Sequence, residues 1–242
     1  MLTDTKGLSR NAIKCIAMIT MLIDHIAVIF IAQDTLTYTI MHQLIGRIAF
    51  PLFAYLIVDG FDRSKNHKQK IYDYVILALI TEIFFDRALK GEVPCWTHQN
   101  IMWTWVVCVI ALIFIRKLYN TENKKIFNVD IMLRIIIILG IACLACSYGR
   151  TDYSFVGPLC VILSYILKEK KPNISPIWLI VLISIVVVIF FETPGYLLAI
   201  PIIILYNPDK PSTYNKTIKY GFYGFYPIHL AILAGIRIYF GI

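Results

Sequence analysis

Residues 19–30 read ITMLIDHIAVIF, an oily run with Asp24 and His25 side by side near its centre. It lies within a longer apolar stretch, 11–32, and the rest of the 242-residue chain has the same texture: 59% of residues are hydrophobic and 16% charged. An ordinary soluble domain is roughly half apolar and about a quarter charged, so the excess reads as a chain dissolved in a bilayer. Apolar runs follow one another at 11–32, 44–61, 70–86, 100–116, 131–148, 154–168, 176–191, 194–206 and 217–240. A full crossing takes about 20 residues. The pattern predicts an all-α polytopic membrane bundle of about nine transmembrane helices, with 154–168 and 194–206 short enough to leave tilting, kinking or re-entry open. No linker is long enough to separate domains, so a single domain over 1–242 is expected.

The net charge of +8 does not point to nucleic acid, because the cations collect in short loops between the apolar runs. With the N-terminus inside, the inner segments hold Lys6, Arg10 and Lys14, then Arg63, Lys65, Lys68 and Lys70, then Arg116, Lys117, Lys124 and Lys125, then Lys168, Lys170 and Lys171, then Lys210, Lys216 and Lys219. The outer segments hold Arg87, Lys90, Arg150 and Arg237. Alternation at every loop is the positive-inside pattern. It predicts a multi-pass protein of the cytoplasmic membrane with a cytoplasmic N-terminus and an outside C-terminus. The polar start and the lack of a small-residue cleavage site make the first run a retained anchor. The six Cys lie mostly inside apolar runs, where a thiol packs as a small hydrophobe. Neither a disulfide framework nor a metal site is expected, although Cys143 and Cys146 have CxxC spacing.

A charged group at mid-bilayer costs at least about 2.5 kcal/mol on insertion scales, so each one is a functional candidate. Lys14 and His25 are about three turns apart on one helix face, roughly 16 Å along the axis; Lys14 sits at the inner mouth and His25 deep. His25 suits general acid–base work because imidazole exchanges a proton near neutral pH; a snorkelling Lys and a structural Asp–His pair are the plain alternatives. Arg47 falls one turn inside the outer face of the second run, where Glu82 and Asp86, at i and i+4 of the third, offer buried acids. Asp59 ends the second run at the inner interface, where solvation makes it cheap. Asn100 opens the fourth run as an N-cap or a substrate contact, and Trp103 and Trp105 read as belt residues. Arg150, Asp152 and Tyr153 form an outer loop. Tyr226 and His229 are i, i+3 neighbours around Pro227, a second imidazole at mid-membrane. Arg134 reads as snorkelling. A transporter and a membrane-embedded transferase would both need such a polar chamber.

The combination of LIDHI, GRIAFPLFAYLIVDGF, LALITEIFFD, QNIMWT, TDYSFVGPL and KYGFYGFYPIHLAIL resembles the TraX family of integral membrane acetyltransferases, known for acetylating the N-terminus of conjugative pilin and related to transmembrane acyltransferases that modify envelope polymers. In that wider group a basic residue and a His stand on the first helix at the spacing of Lys14 and His25. The resemblance implies acetyl-CoA as co-substrate, entering from the cytoplasm without a metal, and an extracytoplasmic acceptor amine or hydroxyl on a peptide or glycan. It implies His25 as general base, with Asp24 fixing the imidazole tautomer and His229 in the catalytic group, and Lys14 on the CoA phosphates. Arg47, Glu82, Asp86, Asn100, Asp152 and Tyr226 are then the acceptor-binding candidates. The competing reading is a proton-coupled small-molecule transporter, since buried His and carboxylates also form proton relays.

Overall fold

A computed structural model describes residues 6–121, 129–212 and 215–241. Among these, each apolar run has become a helix and no strand forms: α1 Arg10–Phe30, α2 Leu36–Asp62, α3 His67–Phe85 continued by a π turn Asp86–Lys90, α4 Ile101–Thr121, α5 Val129–Tyr148, α6 Val156–Lys170, α7 Pro176–Phe191, α8 a 3₁₀ turn Pro194–Leu198 running into Ala199–Ile204, and α9 Lys216–Phe240. The starts follow from local chemistry. The side chains of Ser9, Thr35, Asn66, Ser175 and Asn215 each accept a hydrogen bond from a backbone N–H of the turn that follows, satisfying donors that a helix leaves orphaned.

Among the described residues five helices, α1, α2, α4, α5 and α9, are long and apolar enough to cross a membrane. The short α8 begins inside the bundle: Gly195 lies so close to the Gln43 carbonyl that no side chain fits there, and the Ser184 hydroxyl donates to the Tyr196 carbonyl at 3.1 Å. Its other end emerges beside the N-terminus, where Leu8 N–H donates to Leu205 O at 2.6 Å and Asn207 N–H to Leu8 O at 2.9 Å. The run 194–206 therefore links the outer half of α2 to the opposite end without extending past either.

The core gathers around α2, whose Leu52, Ala54, Val58 and Phe61 are fully buried. The outside is oily as well. Ile136, Ile137 and Ile141 on α5, Ile189 on α7 and Ile228 and Ile232 on α9 are each more than half exposed, a surface that water would penalise and lipid would not.

α2 is not a uniform helix. Residues Thr39–Ile45 form a π segment, Gly46–Ile48 a 3₁₀ turn, and only Ala49–Asp62 is regular α. Because π hydrogen bonding runs i to i+5, it stacks His42 above Arg47. Gly46 brings this irregular stretch against α1: a Cβ there would stand 2.7 Å from the Asp24 Cβ, so only glycine allows the approach.

Candidate functional site

One cavity of about 900 Å³ runs through the bundle, bounded by α1, α2, α3, α4 and α9. Its mouth, at the end the charge pattern reads as cytoplasmic, is basic. Arg10 Nε donates to Asp59 Oδ2 at 2.7 Å and Arg63 Nε to the same oxygen at 3.0 Å, so one buried carboxylate holds two guanidiniums. Gly60 leaves the space: a Cβ would lie 2.8 Å from Arg10 Nη2. Lys14, Lys65, Lys70, Lys210 and Lys219 also line this end, together with Asp73 and Asp209, and Lys14 Nζ lies 4.7 Å from the Phe222 ring centre.

The far half carries acids, aromatic rings and the imidazole. His25, Asp24, Asp152 and Tyr226 line it, with Phe50, Trp105 and Tyr153 as an aromatic wall; Phe50 stacks on Tyr153 at 3.7 Å between centres and on Trp105 at 5.8 Å. His25 Nδ1 is 2.8 Å from His229 Nε2, and His229 Nδ1 is 2.8 Å from the Phe225 carbonyl oxygen. His229 itself is 4% exposed and stands behind His25, off the cavity wall. Asp24 Oδ1 is 2.9 Å from His42 Nδ1 and 4.0 Å from Arg47 Nη1; Arg47 touches the His42 ring and lies over Tyr196 at 5.7 Å.

The loop 150–154, which delivers Asp152 and Tyr153, is held under strain. Arg150, Tyr153 and Ser154 have φ of 51°, 62° and 43°, a left-handed conformation that non-glycine residues adopt at a cost of about 1–3 kcal/mol each when the surroundings compel it. The surroundings do so: Gln99 N–H donates to Arg150 O and Asp152 N–H to Gln99 O, both at 2.9 Å, while the Thr104 hydroxyl donates to Asp152 O at 2.6 Å. Burial pushes the Tyr153 hydroxyl well above its ordinary pKa, so it stays protonated and available as a donor. Asp152 also faces His98, with Oδ1 3.5 Å from Nε2.

Several expectations change. Asp24 does not orient His25: neighbours on a helix diverge by about 100°, and its carboxylate turns to His42 and Arg47 instead. Arg47 does not meet Glu82 or Asp86, because α2 packs on α1 and α8 whereas those acids face α4 and the loop before it. Glu82 accepts from Asn100 N–H (3.1 Å), Asn100 Nδ2 (2.6 Å) and Trp103 Nε1 (2.8 Å), and Asn100 Nδ2 also reaches Ala78 O at 2.9 Å. Asp86 accepts from Cys95 N–H at 2.7 Å. Glu82 and Asn100 tie α3 to the start of α4, Asp86 ties the π turn to the loop before α4, and none of the three lines the cavity. Asp59 is buried and doubly paired where solvation was expected, and Trp105 is buried in the core where a belt position was expected, while Trp103 is half-buried with its indole N–H on Glu82. Arg134 pairs with Asp130 at 2.8 Å. His42 joins the site although it precedes the apolar run that starts at residue 44; the signal in the sequence is a His one turn ahead of Arg47. Among the described residues no group of His, Cys, Asp and Glu is arranged to hold a metal ion.

The comparisons agree in extent with this architecture. A family model described as TraX protein matches residues 9–237. The chain is 24% identical over 247 residues to the probable fimbrial assembly protein FimC, serogroup H1, of Dichelobacter nodosus, covering 94% of this chain and 95% of that one. It is 26% identical over 167 residues to the protein RP591 of Rickettsia prowazekii (strain Madrid E), covering 69% of this chain and 58% of the other. No solved structure matches. The match over nearly the whole chain, which takes in every helix of the bundle, places this protein in the TraX family.

Proposed function

We propose that the protein is a membrane-embedded acetyltransferase that takes an acetyl group from acetyl-CoA at the basic mouth and passes it to an acceptor at the far end. One observation carries this reading: a single cavity joins a mouth rich in cationic side chains, Arg10, Lys14, Arg63 and Lys70 among them, to an imidazole and the deep carboxylates of Asp24 and Asp152. Arg10, Lys14, Arg63 and Lys70 offer charge to the CoA phosphates. At the other end Asp24 and Asp152 favour an acceptor that arrives as an ammonium, as the N-terminus of a peptide would, and the relative named for fimbrial assembly fits such an acceptor.

The chemistry balances without a metal. The bound ammonium first releases one proton to water at the cavity, the free amine nitrogen then attacks the thioester carbonyl, the C–N bond forms and the C–S bond breaks, and His25 carries the second nitrogen-bound proton to the leaving thiolate. In lipid nanodiscs, thiol release from acetyl-CoA and label transfer to an amine-bearing peptide should both depend on His25. His25→Ala should lower turnover by roughly 10²–10⁴-fold; a variant of wild-type rate would reject the assignment. The transporter reading makes the opposite prediction, a substrate-driven proton flux in proteoliposomes that needs no CoA.

A further inference from the structure

We propose that His229 is a positioning residue that holds His25 as its Nδ1–H tautomer, so that His25 presents an unprotonated Nε2 to the cavity. The argument begins at the Phe225 carbonyl. A carbonyl oxygen only accepts, so the 2.8 Å contact to His229 Nδ1 requires the proton to be on that nitrogen. Among the described residues no carboxylate is paired with His229, whose ring neighbours are Phe225, Tyr226 and His25, and an uncompensated imidazolium in this buried place is expensive. The ring is therefore neutral and its Nε2 carries a lone pair.

That lone pair is 2.8 Å from His25 Nδ1. Two lone pairs at that distance would repel, so the hydrogen between them belongs to His25. The rings are 7° from parallel, which lets the N–H of one lie near the plane of the acceptor nitrogen of the other. A neutral His25 with its proton on Nδ1 has its second lone pair on Nε2, in a ring that lines the cavity. Among the described residues the neighbouring carboxylate does not do this job: Asp24 is turned to His42.

The catalytic consequence rests on the acetyl-transfer reading. His25 Nε2 takes the acceptor proton as the C–N bond forms and hands it to the thiolate as the C–S bond breaks. Throughout, His25 Nδ1–H stays bonded to His229, and His229 keeps its own proton on Nδ1. His229 touches neither reactant, and both of its nitrogens are occupied, so it does not polarise the thioester oxygen.

The test is ¹⁵N NMR of histidine-labelled protein in nanodiscs, at a pH where both rings are neutral. His25 and His229 should both be Nδ1–H, the form a free imidazole favours less; finding His25 as Nε2–H would overturn the proposal with no variant involved. His229→Gln keeps an accepting oxygen and should preserve the His25 tautomer, whereas His229→Leu should release it. Kinetically, His229→Leu should lose on the order of 10²-fold or more in kcat with KM for acetyl-CoA unchanged, and His229→Gln should recover much of it. A folded His229→Leu protein with wild-type kcat would also overturn it. If the wild type turned over no acetyl-CoA, the functional reading would fall while the tautomer measurement still decided the relay.

Discussion

At the residue scale, the polar side chains that join helices work in specific pairs, and the cost of removing one partner sets the expectations. Asn100 is fully buried and bridges Glu82 to Ala78 O. Asn100→Ala leaves a carboxylate and a carbonyl short of a donor and should cost about 2–3 kcal/mol, read as a fall in thermal midpoint in detergent with the ligand cavity otherwise intact. Asp24→Asn is expected to be harsher than a surface change, because the half-buried His42 and Arg47 lose the charge between them; the loss should exceed the ~1 kcal/mol of an exposed pair and show as a lower thermal midpoint. Lys14, Asp24 and His25 could be read from the chain since a polar group inside an apolar run advertises its own cost. What each of them touches could not, since that depends on the azimuth of helices far away in sequence.

At the element scale, the π segment of α2 and the 150–154 loop are where regular structure yields to the site. Gly46→Ala would press a methyl into Asp24 and force α1 and α2 apart; overpacking of this kind costs about 1–3 kcal/mol and should lower both stability and turnover. Thr104→Val removes the hydroxyl that donates to Asp152 O while keeping the volume. The loop should then relax from its left-handed conformations, raising KM for the acceptor and leaving KM for acetyl-CoA unchanged, a split that steady-state kinetics with both substrates would show. The nine helices were legible from apolar run length among the described residues. The π segment was not, because nothing in TIMHQLI, residues 39–45, distinguishes i+5 from i+4 bonding; the neighbours Asp24 and Gly195, at close approach to Gly46 and Gln43, impose it.

At the scale of the whole molecule, the cavity has an excess of cations at one mouth, where Lys14, Lys65 and Lys70 outnumber the acids, and Asp24 and Asp152 in the far half. Lys70→Met should raise KM for acetyl-CoA by about 10-fold at low ionic strength, an effect of one lost phosphate contact worth about 1.4 kcal/mol, and the difference from wild type should shrink as salt screens the mouth. Sidedness has an equally direct check. Lys68→Cys and Arg150→Cys lie at opposite ends of the bundle, and in intact cells a membrane-impermeant maleimide should reach the second and not the first.

Composition, run length and loop charge determined by themselves that this is an all-helical membrane protein with one basic end, because the bilayer punishes each polar residue individually and the sequence records every exception. The lysine mouth and the deep imidazole belong to that record. Only the tertiary structure decided that Asp24 serves His42 and Arg47, that Glu82, Asp86 and Asn100 fasten α3 and its π turn to α4 and the loop before it, and that His229 stands behind His25. Those pairings come from which helices lie side by side and how each is rotated, quantities that the 3.6-residue period leaves undefined until the whole bundle is packed.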